Sequence, residues 1–241
     1  ETIEIELVLA DLQTVAGSLE NAKRSARSQA EEAHLRLDLL EKLHPILAEG
    51  RPARDADIGS NPKSPGLLKG LGLITTKPQM FVMNVSDDDV LGEGPLAQKV
   101  RELAEERGSE AVPVCARIEE ELSELDEADR LEMLTDYGMD EPALAKLARA
   151  VYSLLGQQSF YTAGEKEIRA WTVHQGASAP EAAGVIHTDF QRGFIRAEIF
   201  SVADLQEYGS EKSIREAGKL RVEGKDYLMQ DADVCHFLFN V

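Results

Sequence analysis

The chain has 241 residues, 43% of them hydrophobic and 29% charged, which is enough to build one large domain or two smaller ones with real cores. Its 26 Lys and Arg stand against 44 Asp and Glu, a formal net charge of -18. That excess repels nucleic acid at long range and excludes indiscriminate polyanion binding, so any RNA contact requires a local basic patch. No apolar run is long enough to span a bilayer, and no signal peptide is evident at the start. The two cysteines, Cys115 and Cys235, are too few and too far apart for a disulfide framework, which fits a reducing compartment and two buried free thiols.

The first segment reads as helix. Ile5, Val8, Leu12, Val15, Leu19 and Ala22 recur at helical steps, and a second stripe runs through Ala33, Leu37, Leu40, Leu43 and Leu47. A polar stretch from Ser25 to Glu31 joins them, so an antiparallel helical hairpin is expected, with Pro45 disturbing its second helix. "GRPARDADIGSNPKSPG", Gly50 to Gly66, is a Pro- and Gly-rich connection.

Beyond it the pattern changes. Met80 to Met83 reads as a short buried strand, Pro95 to Arg107 as an amphipathic helix stopped by Gly108, and Ala111 to Ala116 as a second buried strand. Strand, helix, strand is the crossover unit of an α/β sheet. Two helices are expected next, Ile118 to Tyr137 and Glu141 to Leu155, the second started by Asp140 and Pro142. From Ser159 the chain turns to β: "SFYTAG" and "EIRAWTV" about a turn at Gly164, a short helix in "APEAAGVIH", an alternating strand "FIRAEIF" and a terminal strand "VCHFLFNV". Strands around one or two helices in under a hundred residues suggest an α+β, grasp-type sheet.

The chemistry concentrates in "QMFVMNVSDDD", where a strand delivers Asn84, Val85, Ser86 and Asp87 to a loop. In P-loop GTPases an Asn-Lys-x-Asp loop in this position steadies the base with its Asn and accepts two guanine hydrogen bonds on its Asp. A Ser-Ala-Lys loop after the next strand adds a backbone N–H. Here the next strand ends in Cys115, Ala116 and Arg117, in the same order and spacing. Taken alone, Asn-x-x-Asp is equally a turn or a helix cap.

The wider chain decides between them. "ADLQTV", "EGRPAR", "KPQMFVMNVSDDD", "VCARIEEELSEL", "FYTAGEKEIRAWTVHQGASAPEAAGVIHTDFQRGFIRAEI" and "RVEGKDYLMQDADVCHFLFNV" closely resemble the Obg-like ATPase family, also called YchF, over nearly the whole chain. The resemblance implies an α/β fold: part of a P-loop nucleotide domain with an inserted antiparallel helical hairpin (coiled coil), then a ubiquitin-like β-grasp (TGS) domain. The hairpin would occupy 1–50, the closing part of the nucleotide domain with connecting helices 51–158, and the TGS domain 159–241. It also implies a cytoplasmic, monomeric switch protein that binds the ribosome or ribosomal RNA and hydrolyses ATP with Mg²⁺. In the family the phosphate loop and the Mg²⁺-contacting segments lie upstream of the residue matching Glu1. The expectation is therefore a hydrolase in the intact protein and an inactive chain by itself, with no catalytic residue and no metal ligand assigned here. Val85 stands where GTPases have Lys, as in the family, but Asp87 stands where the family usually has Glu. ATP is expected, and Asp87 leaves GTP possible.

Other residues are assigned by environment. Trp171 reads as core, His187 as a hydrogen-bonded structural histidine, and Cys235–His236 as strand alternation without a zinc site's spaced partners. Candidate RNA contacts are Lys23, Arg24 and Arg27 near the hairpin tip, Arg192 and Arg196 about "GFI", and Lys219, Arg221 and Lys225 near the end. The rival reading is a non-enzymatic RNA- or protein-binding adapter built on the TGS domain.

Overall fold

The computed structural model describes residues 2–27, 30–164 and 167–240. Glu1, Ser28, Gln29, Glu165, Lys166 and Val241 lie outside the described residues, and with them part of the expected polar link and part of the turn after Gly164. Contacts divide the chain into two units, 1–79 and 80–241.

In the first unit, helices α1 (Thr2–Ser25) and α2 (Glu31–Ala48) form the expected hairpin. Its core is Val8, Val15 and Ala22 against Leu39, Leu40, Leu43 and Leu47, extended by Ala53 and Leu73. The expected stripe errs at Ile5, which is 49% exposed. Two inward positions lie outside the expected stripes, Leu39 and Asp11; Asp11 is buried because it serves a polar function: its carboxyl oxygens accept the backbone N–H groups of Ile74 and Thr75 and the Thr75 hydroxyl. Helix α2 continues through Pro45 to its end. Proline there removes a single hydrogen bond in the last turn, while Leu43 and Leu47 anchor both sides of it in the core. The connection is shorter than expected, because helix α3 (Ser64–Leu71) already starts inside it with Pro65 in its first turn.

In the second unit, β1 (Phe81–Asn84) pairs in parallel with β2 (Ala111–Val114), and α4 (Pro95–Glu106) crosses between them. Gly108, at φ +59°, adopts the left-handed conformation just past the helix. Three helices follow where two were expected: α5 (Ala116–Glu124), α6 (Glu127–Asp136) and α7 (Ala143–Leu154). The break comes from Asp126, which caps α6 by accepting from the N–H groups of Ala128 and Asp129. Helix α7 is not started by Asp140. Pro142 occupies the cap position, and the first-turn N–H groups of Ala143 and Leu144 donate instead to the buried Glu119, at 2.7 and 3.2 Å.

The C-terminal segment of this unit is a five-stranded mixed sheet in the order β4-β3-β7-β5-β6, made of β3 (Gln157–Ala163), β4 (Ile168–His174), β5 (Phe194–Ser201), β6 (Arg221–Glu223) and β7 (Asp233–Phe239). β3 and β7 run parallel and the other pairs antiparallel. Helix α8 (Ala179–Ile186), opened by a capping box of Ser178 and Glu181, lays Ala179, Ala182 and Ala183 on Phe160, Ala197, Ile199 and Phe237. α9 (Thr188–Arg192) continues from it. Helices α10 (Val202–Tyr208) and α11 (Glu211–Glu216) form a second cluster around Phe200, Ile214 and Val234. With both faces covered, Ile199 and Phe200 are both buried, so β5 does not show the clean alternation expected of it; it also bulges between Phe194 and Arg196.

Candidate nucleotide-base site

The parallel register sets Asn84 directly opposite Val114, so the residues leaving the carboxyl ends of β1 and β2 emerge side by side. Ligands of open parallel sheets sit at this end of the strands. The Val85 N–H donates to the Val114 carbonyl at 3.1 Å, which holds the first loop against the second strand one residue beyond the ladder. Val85 is half-buried and packs on the cluster of Val90, Cys115, Ile118 and Leu122. Asn84 and Ser86 are exposed.

Asp87 then begins a short 3₁₀ turn, Asp87–Asp89. Asp89 closes the loop by accepting the N–H groups of Glu93 and Gly94. A Cβ on Gly94 would meet Asp89 Oδ2 at 2.6 Å, so a side chain there would have to displace that carboxylate.

In the second loop Cys115 is buried and occupies the cap position of α5, while Ala116 and Arg117 are exposed in its first turn. The two loops are joined by an ion pair, Arg117 Nη1 to Asp87 Oδ2 at 2.9 Å. Arg117 Nε also donates to Glu121 at 3.2 Å. The hydrogen bond to Glu121 and the charge of Asp87 together raise the Arg117 pKa above its ordinary value. All seven residues singled out in the sequence, Asn84 to Asp87 and Cys115 to Arg117, therefore lie around the paired ends of β1 and β2. Sequence reasoning missed Glu119, which accepts the first N–H groups of α7, and Glu121, which braces Arg117; a lone Glu in an acidic helix carries no signal of its own. A separate cleft of about 530 Å³ is lined by Val90, Arg101, Pro113, Met139 and Arg149 among others, and none of these seven residues lines it.

The basic residues are dispersed. Near the hairpin tip Lys23 lies 3.6 Å from Glu20, Arg24 donates to Asn21, and Arg27 is exposed. Arg192 pairs with Asp189, while Arg196 is exposed on β5. Arg221 pairs with the buried Asp233 and lies over the Tyr227 ring, between exposed Lys219 and Lys225. Trp171 is half-buried against the sheet core, donates to Thr162 and carries Arg169 4.4 Å above its ring. The His187 Nδ1 accepts the Asp189 N–H and caps α9, a structural role. Cys235 is buried, and burial pushes its thiol pKa up, whereas His236 faces outward. Among the described residues, no group of three or more His, Cys, Asp or Glu is placed to hold a metal ion, and no helix is long and apolar enough to cross a membrane.

Comparison with known proteins gives three findings. A family profile described as "YchF-GTPase_C: Protein of unknown function (DUF933)" matches residues 157–240. Over its whole length the chain is 44% identical to the "Ribosome-binding ATPase YchF" of Pasteurella multocida, and 43% identical to the protein of that name from Bacillus subtilis, in each case spanning 66% of the relative. Among solved structures it is similar to that described as "Structure of the Schizosaccharomyces pombe YchF GTPase", with a TM-score of 0.81, 29% identity, and coverage of 98% of this chain and 64% of that one.

Proposed function

This chain belongs to the YchF family, and from that premise we propose that it supplies the base-binding part of a ribosome-associated, nucleotide-hydrolysing switch. The relatives are named as ribosome-binding ATPases, and the chain spans about two thirds of their length. In this reading Asn84 and Val85 hold the purine, Ser86 and Asp87 complete the first loop, and Cys115, Ala116 and Arg117 form the second. An exposed amide side chain at the mouth of a parallel strand pair suits a flat heterocycle with hydrogen-bonding edges.

The observation that carries the reading is the register: Asn84 opposite Val114, with Arg117 bonded back to Asp87 across the gap. Mg²⁺ would neutralise the phosphates of bound ATP, and the groups that hold both would come from the part of the relatives' length that this chain does not span. The residues here bind and orient the base. ATP is the proposed nucleotide. Residues 1–50 serve as the hairpin, 51–158 close the nucleotide domain, and 159–241 form the TGS domain. The protein acts in the cytoplasm. Lys23, Arg24 and Arg27 at the hairpin tip are the proposed RNA contact, because a basic tip is what a chain of net charge -18 needs to approach a polyanion.

Two experiments test this in a protein of the relatives' full length. Asn84→Ala is expected to weaken ATP binding roughly tenfold, the effect of one lost buried polar contact; an unchanged affinity contradicts the base site. Charge reversal at Lys23, Arg24 and Arg27 is expected to abolish co-sedimentation with ribosomes at moderate salt. Undiminished co-sedimentation removes the hairpin tip from the contact and turns attention to Arg192, Arg196, Lys219, Arg221 and Lys225.

A further inference from the structure

Asp87 is the residue type that reads guanine, yet its relatives are named for ATP hydrolysis. The ion pair across the two loops bears on that contradiction. Guanine is recognised by a carboxylate that accepts two hydrogen bonds at once, one from the ring N–H and one from the amino group, so both oxygens must be turned to the base. In this structure Oδ2 of Asp87 is taken by Arg117 Nη1 at 2.9 Å, and Arg117 is itself braced by Glu121 at 3.2 Å. Adenine presents a ring acceptor and an amino group at the same edge. It has no pair of donors for a carboxylate, so it loses nothing when that carboxylate is occupied.

Resting on the base-site reading above, we propose that Arg117 is a specificity-determining residue: by holding Oδ2 of Asp87 it withdraws the guanine-reading carboxylate and leaves the site selective for adenine nucleotides. Arg117 acts here by competition. The guanine edge must displace a guanidinium held from two sides, by Asp87 and by Glu121, before it can bind. Arg117 is 70% exposed along its side chain, so its removal does not open a cavity and leaves the fold intact.

The test is the ratio of GTP to ATP dissociation constants in the full-length protein, measured for four variants with Asn84→Ala as the control. Arg117→Ala is expected to lower that ratio about two- to fivefold, the range for loss of an exposed ion pair, through tighter GTP binding. Arg117→Lys, which keeps the charge without the fork, is expected to fall between. Asp87→Asn removes the group being competed for, so Arg117→Ala made on top of Asp87→Asn is expected to leave the ratio of the single Asp87→Asn variant unmoved. A structural role for Arg117 would persist in that background, and such persistence overturns the proposal. So does an unchanged ratio in Arg117→Ala, provided Asn84→Ala in the same assay weakens both nucleotides. If Asn84→Ala weakens neither, the base-site reading itself has failed, and the proposal falls with it.

Discussion

Asp11 is the only acidic residue among the fully buried members of α1, and its replacement gives the sharpest test of how the first unit is held. Its side chain is 2% exposed and receives three donors: Ile74 N at 2.8 Å, Thr75 N at 2.7 Å and Thr75 Oγ1 at 2.6 Å. The Thr75 hydroxyl in turn accepts the Ala53 N–H at 2.8 Å, so one carboxyl group organises α1, the start of the connection and the segment after α3. Asp11→Ala strands all three donors. Each buried unpaired donor costs about 1–3 kcal/mol, and water entering the vacated space offsets part of this, so a loss of about 3–5 kcal/mol is expected. Thr75→Val strands the Ala53 N–H and removes one bond to Asp11, for about 1–3 kcal/mol. Because the two share a bond, the double variant should lose less than the sum, with a coupling of about 1–2 kcal/mol. Denaturant unfolding by circular dichroism gives the totals, and amide hydrogen exchange at Ile74 and Thr75 assigns them to the first unit. A loss in Asp11→Ala below about 0.5 kcal/mol, with exchange at those amides unchanged, would refute the reasoning.

Three further outcomes are expected. Glu119→Ala should uncap α7 and cost about 1–2 kcal/mol, with faster exchange at the Ala143 and Leu144 amides; Glu119→Gln, which keeps one acceptor, should cost less. Gly193→Ala should destabilise the sheet by about 1–3 kcal/mol, since its Cβ would meet the Asn240 carbonyl oxygen at 2.1 Å and backbone cannot rotate away; unfolding by denaturant checks it. Burial, together with the hydrogen bond to Asp233, pushes the Tyr227 hydroxyl up to about 12 from its ordinary 10.0. The folded state thus favours the protonated phenol, a stabilisation fully present below pH 10 and lost as pH rises from there through about 12. Ultraviolet titration of phenolate absorbance should show this late component, and Tyr227→Phe should remove it.

Sequence periodicity located the hairpin, the β1-α4-β2 unit and the positions along the chain of strands β3, β4, β5 and β7, because each rests on local apolar spacing. What stayed hidden depends on polar groups acting at a distance. Asp11 breaks the apolar stripe yet faces inward, since its partners lie more than sixty residues away. The start of α7 belongs to Glu119 on another helix, while the nearby Asp140 takes no part in it. Asp126 was legible in principle, as a capping Asp with Glu127 and Asp129 in the first turn behind it, but the acidic run masked it. Likewise Ser201 and Asp204 spell the capping box of α10, a helix unseen at first because it is only seven residues long. The residues proposed for the base site are readable as a motif; the Arg117–Asp87 pair is not, because nothing in the sequence says which of many carboxylates an exposed arginine will choose.

The account turns on a purine lying against the ends of β1 and β2. Photolabelling of the full-length protein with azido-ATP, followed by peptide mapping, tests this most directly. Label in the peptides carrying Asn84 to Asp89 or Cys115 to Arg117, and its suppression by excess ATP, is the expected result. ATP-protected label confined to the hairpin or to the five-stranded sheet, with both loops unmarked, would contradict it.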